Sequence, residues 1–296
     1  MVPRSWLFVP GDSERKLAKG IETGADAIIV DLEDSVALDG KDAARGLAHE
    51  WLAAHRSGIA AGRATGRWVR INALDTGLWR DDLAAVMGAA PDGIMMPKAL
   101  GPMQVQQLAA ELYELEGRHG IPSGTTRILP LVSETAGSAL TIGSYADASL
   151  PRLAGLTWGA EDLSAAIGAS RKHDADGNWT DTFRLVRSMT LLAAHALDVP
   201  AIDTLHADFR DQGGLERVAA ASRADGFSGM LAIHPGQVAA INAAFAPSEA
   251  ELADARAVIA AFAAQPGAGV VSLNGRMLDQ PHLKLARRLL GQPQTR

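Results

Sequence analysis

Two acids in this chain each follow an apolar run: Glu134 follows Ile128 to Val132, and Asp162 follows Ala154 to Trp158. Neither run adds a histidine, and the chain has no cysteine. The donors on offer are therefore hard oxygens, which favour magnesium or manganese over zinc. Two protein carboxylates would leave most octahedral positions to water and substrate. Without a cation, close carboxylates repel and one tends to keep a proton. A second reading stands beside the metal: both acids fall where a helix would begin, and acids are favoured at helix starts.

Cations and further acids also follow such runs. Arg70 follows Trp68–Val69, Lys98 follows Gly93 to Met96, and Asp31, Glu33 and Asp34 follow Ala27 to Val30. A guanidinium at a strand end can grip a ligand carboxylate in a bidentate fork. Glu33 and Asp34 could order water, orient Arg70 or Lys98, or neutralise buried cations. Lys98 could form a Schiff base, but a lysine among acids keeps its proton, which favours an ion pair. Asp203 ends a seventh run and His234 an eighth, where the histidine either contacts a phosphate or caps the fold. Gly11 and Gly159 are expected to let backbone pass close to a ligand. Arg4 precedes its run and so falls outside this group, while Arg15 and Lys16 read as solvated surface or as contacts for phosphates.

Eight apolar runs, alternating with Ala-rich amphipathic stretches of helix length, predict a (β/α)8 TIM barrel with its chemistry at the strand C-termini. Runs such as Ile28–Ile29–Val30 are continuous, as in strands buried on both faces. The catalytic barrel is expected over residues 1–246, with a C-terminal helical extension and lid over 247–296. That extension carries the turn Asn274–Gly275, then Asp279 and a basic helix around His282 to Leu290. Residues 168–180 read either as a mobile substrate loop or as plain exposed loop.

The 296 residues are 47% hydrophobic with a net charge of −6 and no long basic run, which argues against nucleic acid. Dinucleotide, Walker, His-Glu-x-x-His and nucleophile-elbow patterns are all missing. No apolar run is long enough for a bilayer, and Met1 leads almost at once into a strand, leaving no room for a signal peptide. With no cysteine, the expectation is a cytoplasmic protein.

In order along the chain stand Arg4-Ser-Trp-Leu-Phe-Val-Pro-Gly11, Asp31-Leu-Glu-Asp-Ser-Val36, Lys41 with Arg45, Trp68-Val-Arg-Ile-Asn72 and Pro97-Lys98. Glu134-Thr-Ala-Gly137, Gly159-Ala-Glu-Asp-Leu163 and Ile233-His-Pro235 complete the set. Over nearly its whole length the chain resembles the citrate lyase beta subunit-like branch of the HpcH/HpaI aldolase superfamily. The resemblance implies that Glu134 and Asp162 ligate magnesium (manganese being an alternative), with Glu134 also at the substrate. It implies that Arg70 grips an oxoacid carboxylate and that Glu33 and Asp34 lie near the metal and its waters. It further implies a homotrimer or homohexamer.

Gly275-Arg-Met-Leu-Asp279-Gln-Pro-His282 resembles the tail of malyl-CoA and citramalyl-CoA lyases, which makes Asp279 the acid or base on a lid over a neighbouring subunit. Dehydration in that lid would raise its pKa. The implied reaction is magnesium-dependent cleavage of a citryl-, malyl- or citramalyl-type thioester. The products are a 2-oxoacid such as oxaloacetate, glyoxylate or pyruvate, and an acetyl or propionyl thioester. The thioester is carried on CoA or on an acyl carrier protein. The alternatives are an assembly subunit of a citrate lyase complex and a malyl-CoA thioesterase.

Overall fold

The structure is a computed structural model that describes residues 2–56 and 65–292. The chain divides into two compact units, Met1–Phe245 and Ala246–Arg296. In the first, β1 (Ser5–Pro10), α1 (Glu14–Gly20), β2 (Ala27–Asp31) and α2 (Lys41–Ala54) come in turn. Next are β3 (Gly66–Arg70), α3 (Trp79–Val86), β4 (Gly93–Met96), α4 (Pro102–His119), β5 (Arg127–Pro130) and α5 (Ala136–Thr141). The unit ends with β6 (Leu156–Thr157), α6 (Ala160–Ala166), α7 (Asp181–Ala196), β7 (Ala201–Asp203), α8 (Gln212–Asp225), β8 (Gly229–Ala232) and α9 (Pro235–Ala244).

The strands run parallel in the order β5-β4-β3-β2-β1-β8-β7-β6. The two ends of the sheet meet through parallel bridges between Ile128 and Leu153 and between Leu131 and Thr157. The Val132 N–H donates to the Thr157 carbonyl at 2.9 Å. Closure leaves no free sheet edge, and side chains alternate between lumen and helix layer. Trp6, Ala27, Ile29, Trp68, Met95, Leu129, Leu131, Ile202 and Leu231 fill the lumen. Their strand neighbours Leu7, Ile28, Val30, Val69, Ile94, Ile128 and Met230 pack under the helices. The same alternation aims Asp31 and Arg70 inward, each two residues beyond a lumen side chain.

A buried ion pair pins the α4–β5 connection. Glu116 is fully buried and takes both Nη atoms of Arg152 at 2.8 and 2.7 Å. It also accepts the N–H groups of Gly124 (2.8 Å) and Thr126 (2.9 Å). Burial works against its charge, but Arg152 and the two N–H groups outweigh it and hold the pKa down at about 2, against an ordinary 4.5. Glu116→Ala strands the guanidinium, and a loss of about 3–5 kcal/mol in urea unfolding is expected. Because the folded-state pKa is depressed, this group's stabilisation is full above pH 4.5 and fades as the pH falls toward 2. The variant should therefore lose less stability than the parent over that acid range.

The second unit consists of α10 (Glu249–Ala263), the antiparallel pair β9 (Val270–Leu273) and β10 (Arg276–Asp279), and α11 (Gln280–Leu289). Asn274 and Gly275 both have positive φ, 51° and 76°, as a tight hairpin turn requires. Ala255, Val258, Phe262, Val271, Leu278, Leu283 and Ala286 form its own core. Among the described residues, no helix is long and apolar enough to cross a membrane.

Candidate active site

β2 and β3 pair in register with Asp31 opposite Arg70, so the two side chains meet at the C-terminal end of the lumen. Asp31 takes the side-on edge of the guanidinium, Nε to Oδ1 and Nη2 to Oδ2, both at 2.7 Å. Arg70 also lies over the Phe8 ring at 4.8 Å, and its Nη1 is 3.1 Å from Glu33 Oε2. Burial would lower the Arg70 pKa, but the neighbouring carboxylates, Asp31 foremost, raise it and keep the guanidinium charged. The strand-end arginine is thus held rigidly by the protein itself. Its side-on edge is already used, and only the remaining N–H groups can meet a ligand.

Asp31 does a second job that strand counting did not reveal. Its Oδ1 accepts the Glu33 N–H at 3.0 Å and its Oδ2 the Ser35 N–H at 3.2 Å, which curls the loop after β2. Burial opposes its charge, yet Arg70 and these donors carry its pKa below the ordinary value. The register partner of Arg70 was the available signal. The Lys41 ammonium closes the loop from behind, donating to the carbonyls of Leu32 and Glu33 at 2.7 Å each.

Glu33 is buried and paired with the Lys98 ammonium, while Asp34 is half exposed with Oδ2 3.6 Å from the same nitrogen. Burial raises the Glu33 pKa despite Arg70 and Lys98. Burial works to lower the Lys98 pKa, but Glu33, Glu134 and Asp34 raise it, so the ammonium keeps its proton. An amine held in that form is a poor Schiff-base nucleophile. Lys98 has φ of 50°, and its backbone N–H donates to Glu134 Oε2.

Glu134 is buried. Gly159 lies against it, since a Cβ there would stand 3.1 Å from Glu134 Cγ. Burial, then the charges of Glu33 and Asp162, push the Glu134 pKa up to about 8 against the pull of the Lys98 N–H and Arg70. Asp162, half-buried in the first turn of α6, is thus brought within electrostatic reach of Glu134. Neither acid caps a helix with its side chain: Thr135 caps α5, and α6 has no side-chain cap.

A divalent cation suits this donor set. Glu33 Oε2 is buried with only the Arg70 ion pair at 3.1 Å and no well-aligned hydrogen bond. Glu134 is driven toward protonation by burial first and by the charges of Glu33 and Asp162 next. No group of three or more His, Asp or Glu side chains forms a closed cage among the described residues. Two carboxylates with open positions is the arrangement magnesium takes when it works on a ligand.

Several other residues stand elsewhere. Asp203 faces the helix layer, where it accepts from Trp158 Nε1 (2.7 Å), Ser222 Oγ (2.6 Å) and Arg187 Nη2 (2.8 Å). Arg4 pairs with Asp26 at 2.8 Å. The His234 side chain caps α9 and stacks on Phe209, ring centroids 4.8 Å apart. Arg15 and Lys16 are exposed on α1. Gly11 makes room for protein backbone, its N–H reaching the Asp31 carbonyl at 2.8 Å. The 168–180 segment is anchored: Lys172 pairs with Glu161, and the Trp179 ring meets Trp158 edge-on at 5.1 Å.

Asp279 sits in the C-terminal unit as the N-cap residue of α11, half-exposed and 2.5 Å from His282 Nδ1. Its pKa is lowered, chiefly by that hydrogen bond. In this chain the Asp279 side chain is half-exposed and hydrogen-bonded to His282.

Comparison with known proteins agrees with this geometry. Residues 4–235 match the family model described as HpcH/HpaI aldolase/citrate lyase. A citrate lyase subunit beta-like protein of Mycobacterium tuberculosis is 38% identical, over 96% of this chain and 93% of its own length. A (3S)-malyl-CoA thioesterase of Cereibacter sphaeroides is 34% identical, over 99% and 95%. The crystal structure of protein CitE from M. tuberculosis in complex with magnesium, acetoacetate and coenzyme A superposes with a TM-score of 0.75 at 36% identity, covering 98% of this chain and 97% of that one. The chain belongs to the HpcH/HpaI aldolase/citrate lyase family.

Proposed function

We propose that this chain is a magnesium-dependent carbon–carbon lyase, which splits a 3-hydroxy-3-carboxyacyl thioester into a 2-oxoacid and an acetyl or propionyl thioester. The observation that carries this reading is Glu134, a buried carboxylate with a raised pKa, within electrostatic reach of Asp162 in the first turn of α6 and of the fixed Arg70. Glu134 and Asp162 would hold the ion, and magnesium bound there acidifies the substrate hydroxyl and makes the nascent ketone a better electron sink.

Arg70 offers its remaining N–H groups to the substrate carboxylate and offsets charge around the oxoacid. Glu33 and Asp34 fix Lys98, whose backbone N–H aims Glu134. A base takes the substrate hydroxyl proton, and the oxygen's electrons form the ketone as the carbon–carbon bond breaks. That bond's electron pair moves onto the thioester as an enolate, and a proton must then reach the enolate carbon. Asp279 of a neighbouring subunit is the proton carrier in this reading, after release from His282 and dehydration. Residues 1–246 then act as the catalytic barrel and 247–296 as a lid, in a cytoplasmic homotrimer or homohexamer. Manganese substitutes for magnesium on the same hard donors.

The oxoacid is oxaloacetate, glyoxylate or pyruvate, and the acyl group rides on CoA or on an acyl carrier protein. The chemistry is tested by incubating purified protein with malyl-, methylmalyl-, citramalyl- and citryl-CoA, with and without magnesium, and following products by mass spectrometry. Paired oxoacid and shortened acyl-CoA, formed only with magnesium, are expected. Free CoA with the hydroxyacid left whole would indicate a thioesterase. No turnover of any CoA ester, together with co-purification of an acyl carrier protein, would indicate an assembly subunit.

A further inference from the structure

Lys41 occupies a position that two effects disfavour. It is the first residue of α2, where the helix dipole repels a cation, and it is buried, where desolvation penalises the charged form. Burial does lower its pKa, against the charges of Asp82, Asp31, Glu33 and Asp34. What the ammonium bonds is backbone: the carbonyls of Leu32 and Glu33, 2.7 Å away. The Leu32 carbonyl has a second donor in Asn72 Nδ2 at 3.0 Å, and Asn72 is itself held by Asp82 at 2.7 Å. The front of the same loop is tied by Asp31 through the Glu33 and Ser35 N–H groups.

The loop is thus gripped on both sides, and the side chain it presents is Glu33, between Lys98 and Arg70. A loop that needed only to fold could be satisfied by neutral donors, with no buried charge at a helix start. We propose that Lys41 is a positioning residue for Glu33: its ammonium fixes the backbone that aims this carboxylate at Lys98 and Arg70, and it does so without touching a ligand. The inference rests on the lyase reading for its kinetic consequence but not for its structural one.

The experiment uses the intact chain. Lys41→Met should fold and lower kcat by about 10–100-fold, the usual cost of losing a supporting group, with KM for the thioester changed less than about threefold. Hydrogen exchange at the amides of residues 33–35 should quicken while the rest of the barrel keeps its protection. Since the chain has no cysteine, Lys41→Cys introduces its only thiol. Alkylating that thiol with 2-bromoethylamine in denaturant and refolding restores an ammonium of nearly the same reach, and kcat should recover. If Lys41→Met does not fold, Lys41→Gln, which keeps an uncharged amide donor, replaces it.

Wild-type kcat in the folded variant would overturn the proposal. So would a loss that the restored ammonium does not repair, or one that only tracks the fraction folded. If the wild-type protein turns over no thioester, the lyase reading fails instead. Exchange at residues 33–35 then decides the positioning claim alone, faster exchange supporting it and unchanged exchange ending it.

Discussion

Glu134→Gln is expected to cut magnesium-dependent turnover by about 10³-fold while the protein stays folded. Glutamine keeps the shape and can still accept the Lys98 N–H, so the local hydrogen bond survives. What disappears is the negative charge that a cation needs. The same residue gives a pH signature. In the folded chain its pKa is raised from 4.5 to about 8, so over that interval the folded state holds a proton that the unfolded chain gives up. The stability this group contributes is complete below pH 4.5 and is lost as the pH rises through about 8. On the proposed reading, magnesium would take the place of the proton. The rise in Tm on adding magnesium to chelator-treated protein should therefore be larger near pH 8.5 than near pH 6. That difference should vanish in Glu134→Gln. An equal magnesium effect in both proteins would place the ion elsewhere.

Arg70→Met has the second large effect, and it acts on stability as well as on turnover. Asp31 is almost fully buried and spends both oxygens on this guanidinium, and Glu33 beside it is buried too. Removing the cation leaves Asp31 with the Glu33 and Ser35 N–H groups and no ion-pair partner, and leaves buried Glu33 with Lys98 alone of its two paired cations. Breaking a buried pair costs about 3–5 kcal/mol, which lowers Tm by about 6–20 °C in a domain of this size. Turnover should fall by about 10²–10³-fold, through loss of the group proposed to meet the substrate carboxylate. Arg70→Lys should recover part of the stability but little of the activity, because an ammonium cannot reproduce the fork that spans both Asp31 oxygens. Calorimetry and steady-state kinetics on the two variants check this, and an Arg70→Met protein as stable as its parent would contradict it.

Much of the barrel was legible because parallel strands buried on both faces read as unbroken apolar runs. Ala27–Asp31 and Gly93–Met96 are clear cases. The ends of such runs then located Glu134, Asp162, Arg70 and Lys98. Two things were not legible. One is direction: Asp203 ends a strand as Asp31 does, but its alternation turns it outward to Trp158 and Arg187. Strand-end position alone cannot separate the two, because a shift of one residue reverses the face. The other is coupling across strands. The clamp of Asp31 on Arg70 depends on register, which sequence spacing within either strand does not encode. Likewise the histidine at 234 proved to be a helix cap because its ring nitrogen lies over the Gly236 N–H, 3.1 Å away, a local geometry with no distinctive pattern. Asp279 was singled out only by the tail motif, and its own contacts, with His282, are those of an ordinary cap.

The most direct measurement is an anomalous-difference map from crystals grown with manganese and an oxoacid. One peak is expected with an oxygen of Glu134 and an oxygen of Asp162 both at bonding distance, and with the oxoacid chelating the same ion within reach of Arg70. A peak that either carboxylate leaves uncoordinated, or an oxoacid bound away from it, would contradict the account.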